Sequence, residues 1–339
     1  MNVPLWVWIV TVVVILAMLA VDYVGHVRTP HAPTLRESAT WSLAYVAVAL
    51  VFGVVVWIVW GGEYGGEYFA GYITEKSLSV DNLFVFVLIM TSFRVPREYQ
   101  QRVLLIGITI ALVLRTIFIA AGAAIIANFA WVFYVFGAFL IWTAIVQARS
   151  GTGHDEEWNE NGVLRLTRRL FPTTETYVGD KMIAKIDGKR FITPMLIVMV
   201  AIGSADLLFA VDSIPAIFGL TQETYLVFAA NAFSLLGLRQ LYFLVDGLLD
   251  RLVYLNYGLA AILGFIGVKL VIHALHTNEV PFVNGGQHVE AIPEIPTTVS
   301  LGFIVVVLAV TTIASLARDR RDRQVRAAAE PASTPEGDA

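Results

Sequence analysis

Apolar residues run along this chain in nine long stretches, near 4–21, 38–60, 68–92, 103–121, 128–147, 194–218, 225–245, 252–273 and 298–316. Each is long enough, or nearly so, to cross about 30 Å of hydrocarbon as a helix rising 1.5 Å per residue. The pattern predicts an all-α polytopic membrane protein with about nine transmembrane helices inside residues 1–320. It also predicts a cytoplasmic loop at about 148–192 and a disordered tail at 321–339, rich in Ala, Pro, Glu and Gly. The first stretch lacks a basic leader and a small-residue cleavage site, so it reads as a retained span.

Composition agrees. The chain is 57% hydrophobic and 15% charged, against about 25% charged in soluble domains. It contains no cysteine, which removes disulfides, thiolate zinc sites and thiol redox chemistry. A net charge of −4 gives no reason to expect a nucleic-acid partner. No Gly-x-x-x-x-Gly-Lys-Ser/Thr occurs, so nothing points to ATP drive, and no enzymatic activity is expected. Of 23 basic residues, 19 fall in one set of alternate loops and in the tail; Lys76, Arg115, Arg239 and Lys269 fall inside spans. The positive-inside rule then puts the N-terminus outside and the C-terminus in the cytoplasm.

Two spans carry a repeated acidic motif, Glu75-Lys-Ser-Leu-Ser-Val-Asp81-Asn82 and Asp206-Leu-Leu-Phe-Ala-Val-Asp212-Ser213. A carboxylate at the centre of a membrane helix costs about 2.5–3.5 kcal/mol on insertion scales, and such residues mark ion or proton paths. The repeat extends to one arginine per following helix, Arg115 and Arg239, and then to aromatic-glycine starts at Tyr134 to Gly137 and Tyr254 to Gly258. Units of about 68–147 and 194–273 therefore form an inverted repeat of three plus three helices, a plan of secondary transporters with a midplane site. Six residues turn an ideal helix through about 600°, so the two acids of each motif diverge by about 120°. Convergence needs local unwinding, for which Pro215 is the expected helix break.

Carboxylates with Asn82 and Ser213 are hard oxygen donors suited to manganese, magnesium or calcium. The competing expectation is structural: Glu75, Asp81, Asp206 and Asp212 equal in number the bases Lys76, Arg115, Arg239 and Lys269, and all eight can be neutralised pairs. Asn231 suits a bond between helices, and Asp22, Asp246 and Asp250 read as interfacial. No histidine metal site is expected.

At these motifs the chain resembles the TerC/Alx family of bacterial membrane proteins, and the stretches Asn231 to Phe243 and Phe265 to Lys269 match family segments too. The resemblance covers about residues 16–316. It implies a multi-pass protein of the bacterial inner membrane, a link to tellurium resistance and metal homeostasis, and Glu75, Asp81, Asp206 and Asp212 as metal-site candidates. Many members carry a glutamate where this chain has Gly203, so its second half-site has one carboxylate fewer. An acid-lined path should repel an oxyanion, which makes tellurium resistance an indirect phenotype.

The leading functional expectation is a secondary transporter exporting a divalent cation, manganese first, with protons as the candidate counter-ion and no permanently bound cofactor. The alternative is a membrane scaffold that assists metalation or secretion of partner proteins. A redox modulator ranks last, because no cysteine or visible cofactor site serves it.

Overall fold

The computed structural model describes residues 1–27, 33–150, 173–174, 177, 179, 181–186, 189–245, 253–281, 283–289 and 292–329. Its helices are α1 (Leu5–Asp22), α2 (Leu35–Trp60), α3 (Gly62–Ser92), α4 (Arg97–Asn128), α5 (Val132–Ser150), α6 (Pro194–Phe218), α7 (Thr224–Leu235), α8 (Leu238–Val245), α9 (Leu255–His276) and α10 (Thr297–Ala329). Local sequence marks their starts. Thr34 caps α2 in a capping box with Glu37, and Pro194 occupies the first turn of α6, where a missing N–H costs nothing. Gly61, at φ +104°, is the single residue joining α2 to α3.

Among the described residues, eight helical segments are long and apolar enough to cross a membrane. The nine-span expectation also counts α3: its 31 residues rise about 46 Å, but its five charged residues keep it out of that set of eight. Burial places these helices in depth. The span containing α7 is 89% buried, while that of α10 is 17% buried. Leu5, Ile58 and Ile313 on α1, α2 and α10 are at least 67% exposed, as lipid-facing positions should be.

Glycines set how closely the inner helices approach. A Cβ on Gly137 of α5 would lie 2.9 Å from the Gly267 carbonyl oxygen, and one on Gly267 of α9 would lie 3.0 Å from that of Gly137. Small residues let membrane helices gain dispersion contact where no hydrophobic force drives them together. The same contacts give directions. On α5 and α9, Gly137 meets Val271, Gly267 meets Ile141 and Gly264 meets Ala144, an antiparallel register. Gly107 meets Ile202 and Gly203 meets Ile110, so α4 and α6 run parallel.

Four sequence expectations change. Pro215 does not break α6, which continues to Phe218; proline in the last turn forfeits one backbone bond and keeps a helical φ. The break lies in the next span instead, at Leu236 and Gly237, where Leu236 is extended and Gly237 has φ +83°. Residues 321–329 of the expected tail continue α10, because Ala, Arg and Gln propagate helix and Asp319 and Arg323 stand at i,i+4 spacing; residues 330–339 lie outside the described residues. Part of the expected loop forms a hairpin, β1 (Ile183–Ile186) with β2 (Lys189–Ile192). The rest of that loop, and Asp246, Asp250 and Arg251, lie outside the described residues.

Candidate ion site

The antiparallel pair α3 and α6 builds the centre of the molecule. Thr221, just past α6, donates to Glu67 Oε2 at 2.6 Å, and Gly71 faces Ile217. One turn further, Glu75 of α3 and Ser213 of α6 share the same arginine. Continuing that register sets Asn82 level with Asp206. Glu75 lies about 20 Å along α3 and Asp206 about 18 Å along α6.

Arg115 of α4 fills the gap between them. Its Nε donates to Asp206 Oδ2 at 2.9 Å and its Nη2 to Asp206 Oδ1 at 3.0 Å. Nη1 bonds Glu75 and donates to Ser213 Oγ at 3.2 Å. Arg115 and Glu75 are 0% exposed and Asp206 1%. A planar guanidinium suits this fork on one carboxylate with a third donor toward another. Two carboxyl groups share this one base, and Glu75 Oε2 has no hydrogen-bond partner among the described residues.

Glu75, Asp206 and Ser213 therefore converge, with Arg115, as metal-site and pairing candidates read from the sequence. Asp212 does not join them: on the unbroken helix it turns away from Asp206, is partly exposed, and makes no hydrogen bond or ion pair among the described residues. Asn82 is buried at 3% exposure. The Asp81 backbone lies in α3, and its side chain lies outside the described residues. Among the described residues no group of three or more His, Cys, Asp or Glu is placed to hold a metal. Gly203 faces α4; an added Cβ would lie 3.4 Å from Ile110.

One-for-one pairing of acids and bases does not occur. Arg115 takes two acids, while Arg239 bonds Asp22 and Gln101. Lys76 donates to the Ser234 carbonyl at 3.0 Å, where the broken span leaves α7 with open carbonyls. Lys269 has no carboxylate within 4 Å among the described residues. It lines an open vestibule of about 830 Å³ at the end of the bundle holding the α3 N-terminus, with Glu63, Glu67, Glu223, His273 and Glu294. The Met1 ammonium bonds Glu223 there, which holds that amine's pKa above its usual range.

From this vestibule Glu63, Glu67, Gly71, Glu75 and Ser79 follow every fourth position of α3, winding about 40° round the helix at each step. The four-residue spacing was readable in the sequence. Facing it, Asn231 Nδ2 and Ser234 Oγ of α7 are buried without partners among the described residues, as are Thr74 Oγ1 and Ser79 Oγ of α3. Unmet polar atoms concentrated at membrane depth belong to a hydrated or ligand-binding interior.

Sequence reading placed Asp22 at an interface. It is instead 3% exposed and accepts bonds from Tyr45, Arg239 and Gln240. Nothing local signals that, because its partners come from two other segments, α2 and α8.

The fold and this interior define a polytopic helical membrane protein with an ionic core. The chain belongs to the Integral membrane protein TerC family, whose description matches residues 60–323. It is 54% identical over 313 residues to an uncharacterized membrane protein of Mycobacterium tuberculosis, covering 91% of this chain and 78% of that one. A membrane protein of Myxococcus xanthus is 39% identical over 92% of each chain. A protein of Escherichia coli K12 named "Putative membrane-bound redox modulator Alx" is 36% identical, covering 89% of this chain and 91% of that one. No solved structure matches this chain.

Proposed function

We infer that this chain is a secondary transporter exporting a divalent cation, manganese first, from the cytoplasm across the bacterial inner membrane in exchange for protons. The observation that carries this is Arg115 between Glu75 and Asp206. An anionic cavity at mid-bilayer is filled by a tethered cation, and the surrounding motif holds more acid than that cation neutralises. Such a site favours cations and repels oxyanions. A divalent ion reaching it competes with Arg115 for Glu75 and Asp206, with Asn82, Ser213 and Asp81 as further candidate ligands; Asp212, turned away from that pair, is a candidate ligand elsewhere on the path.

The packing supports an inverted repeat. In the repeat, α3 corresponds to α6, α4 to the broken α7–α8 span, and α5 to α9. Gly71 meets Ala230 and Lys76 meets Ser234, so α3 runs parallel to α7 as α4 does to α6. The reciprocal Gly137 and Gly267 contact is what a twofold axis through the α5–α9 crossing produces. With the arginine-rich loops in the cytoplasm, the vestibule faces outward. A cysteine at Gln287 should react with impermeant thiol reagents on intact cells; protection there, with reaction at position 160, reverses the orientation.

The test of transport is metal flux in proteoliposomes holding only this protein. Saturable manganese movement driven by a proton gradient is expected. Folded protein that moves no metal across a panel of manganese, magnesium, calcium and zinc removes the reading. The second reading, a scaffold with structural acids, draws on the same Arg115 network and predicts that empty result. The redox role named in relatives cannot proceed through thiols of this chain, which has no cysteine.

A further inference from the structure

The vestibule opens one end of the molecule. Toward the arginine-rich end lies α8, eight residues set after the Leu236–Gly237 break and packed against α2, α3 and α4. The geometry points to α8 as a gate, hinged at Gly237 and latched by Asp22, that controls access from the arginine-rich end to the Glu75 and Asp206 site. This deepens the transport reading and rests on it.

The hinge is built into the backbone. At φ +83° Gly237 occupies a region that side chains disfavour, and an added Cβ would lie 2.9 Å from Tyr45 Cβ. Above the hinge, Lys76 secures the end of α7 at Ser234. Below it, α8 is fastened to the bundle through polar groups. Asp22 Oδ1 alone accepts Tyr45 OH at 2.6 Å, Gln240 Nε2 at 2.8 Å and Arg239 Nη2 at 3.0 Å. Arg239 Nη1 donates to Gln101 Oε1 of α4 at 2.6 Å. Asp22, Gln101, Arg239 and Gln240 are all at most 4% exposed, so one carboxylate at the end of α1 joins α2 and α8.

The fastening is incomplete. Arg239 Nε, Gln240 Oε1 and Ser38 Oγ are buried without partners among the described residues. Ser38, Gln101, Arg239 and Gln240 line a cavity of about 10 Å³, room for about one water. Arg239 is the repeat counterpart of Arg115, yet it is held on Asp22, off the central acids. Releasing Asp22 frees both the helix and a second counter-cation.

The test uses the full chain, which has no native cysteine, with one introduced cysteine at a time. Ser79→Cys, 0% exposed on the Glu75 face, reports behind the gate; Gln222→Cys reports the vestibule. In purified protein, Asp22→Asn should speed labelling at Ser79→Cys about tenfold or more, the effect of losing a bond to a charged group, and leave Gln222→Cys unchanged. Equal rates with and without Asp22→Asn overturn the gate, as does acceleration at both positions, which marks general loosening. Should Asp22→Asn not fold, Tyr45→Phe removes one of the three donors, and an increase of about threefold at Ser79→Cys alone is expected; no increase overturns the gate. Labelling needs no substrate. An absent metal flux with this contrast intact removes the transport reading alone, and flux without the contrast removes the gate alone.

Discussion

Arg115→Met should cost this protein about 3–5 kcal/mol, the penalty for stripping the partner from buried charges. Total stabilities run to only about 5–15 kcal/mol, so most of the folded population is at stake. The cause is specific. Arg115 supplies two donors to Asp206, one to Glu75 and one to Ser213, and a methionine of similar length supplies none. Arg115→Lys should recover little, because a single ammonium cannot reproduce the fork on Asp206 while reaching Glu75. The deciding measurement is a mutant cycle of thermal or denaturant stability in detergent. Arg115→Met combined with Glu75→Gln and Asp206→Asn should be more stable than the added single losses imply, by about 2 kcal/mol or more. Losses that add within about 0.5 kcal/mol would mean that Arg115 does not hold these acids.

Asp212→Asn should act on the opposite quantity. Asp212 makes no hydrogen bond or ion pair among the described residues, so the isosteric amide should shift stability by no more than about 0.5 kcal/mol. Flux should fall at least about tenfold, because this acid is free to meet an arriving cation, and intramembrane acids are retained for such work. Glu75→Gln, by contrast, should lower both stability and flux, since Glu75 serves Arg115 as well as the site. Proteoliposome flux measured beside thermal stability separates the two residues. Normal flux in Asp212→Asn places Asp212 outside the ion path.

How much of this was legible follows from the range of each interaction. The helical spans are written in local composition, because a bilayer obliges every backbone group to bond within its own helix. That Glu75 and Asp206 stand out was legible too, since a charge at membrane depth is costly wherever it points. Partner choice was not. Four acids and four bases admit many pairings, and the register of α3 against α4 and α6 decides that Arg115 takes two acids while Lys76 caps a carbonyl. Pro215 and Gly237 show the same limit. Proline is the stronger breaker by propensity, yet position in the last turn spares α6, whereas Tyr45 packed against Gly237 accompanies a break in the next span.

The sequence by itself determined the all-helical membrane architecture, the doubled acidic motif and the family. These depend on local hydropathy and on residues close together along the chain. Only the tertiary structure decided that Arg115 occupies the acid pair, that Asp212 stands apart from it, and that Asp22 is buried against Arg239. Those outcomes join residues from 40 to 217 positions apart, and at such separations helix packing, not local pattern, sets which charges meet.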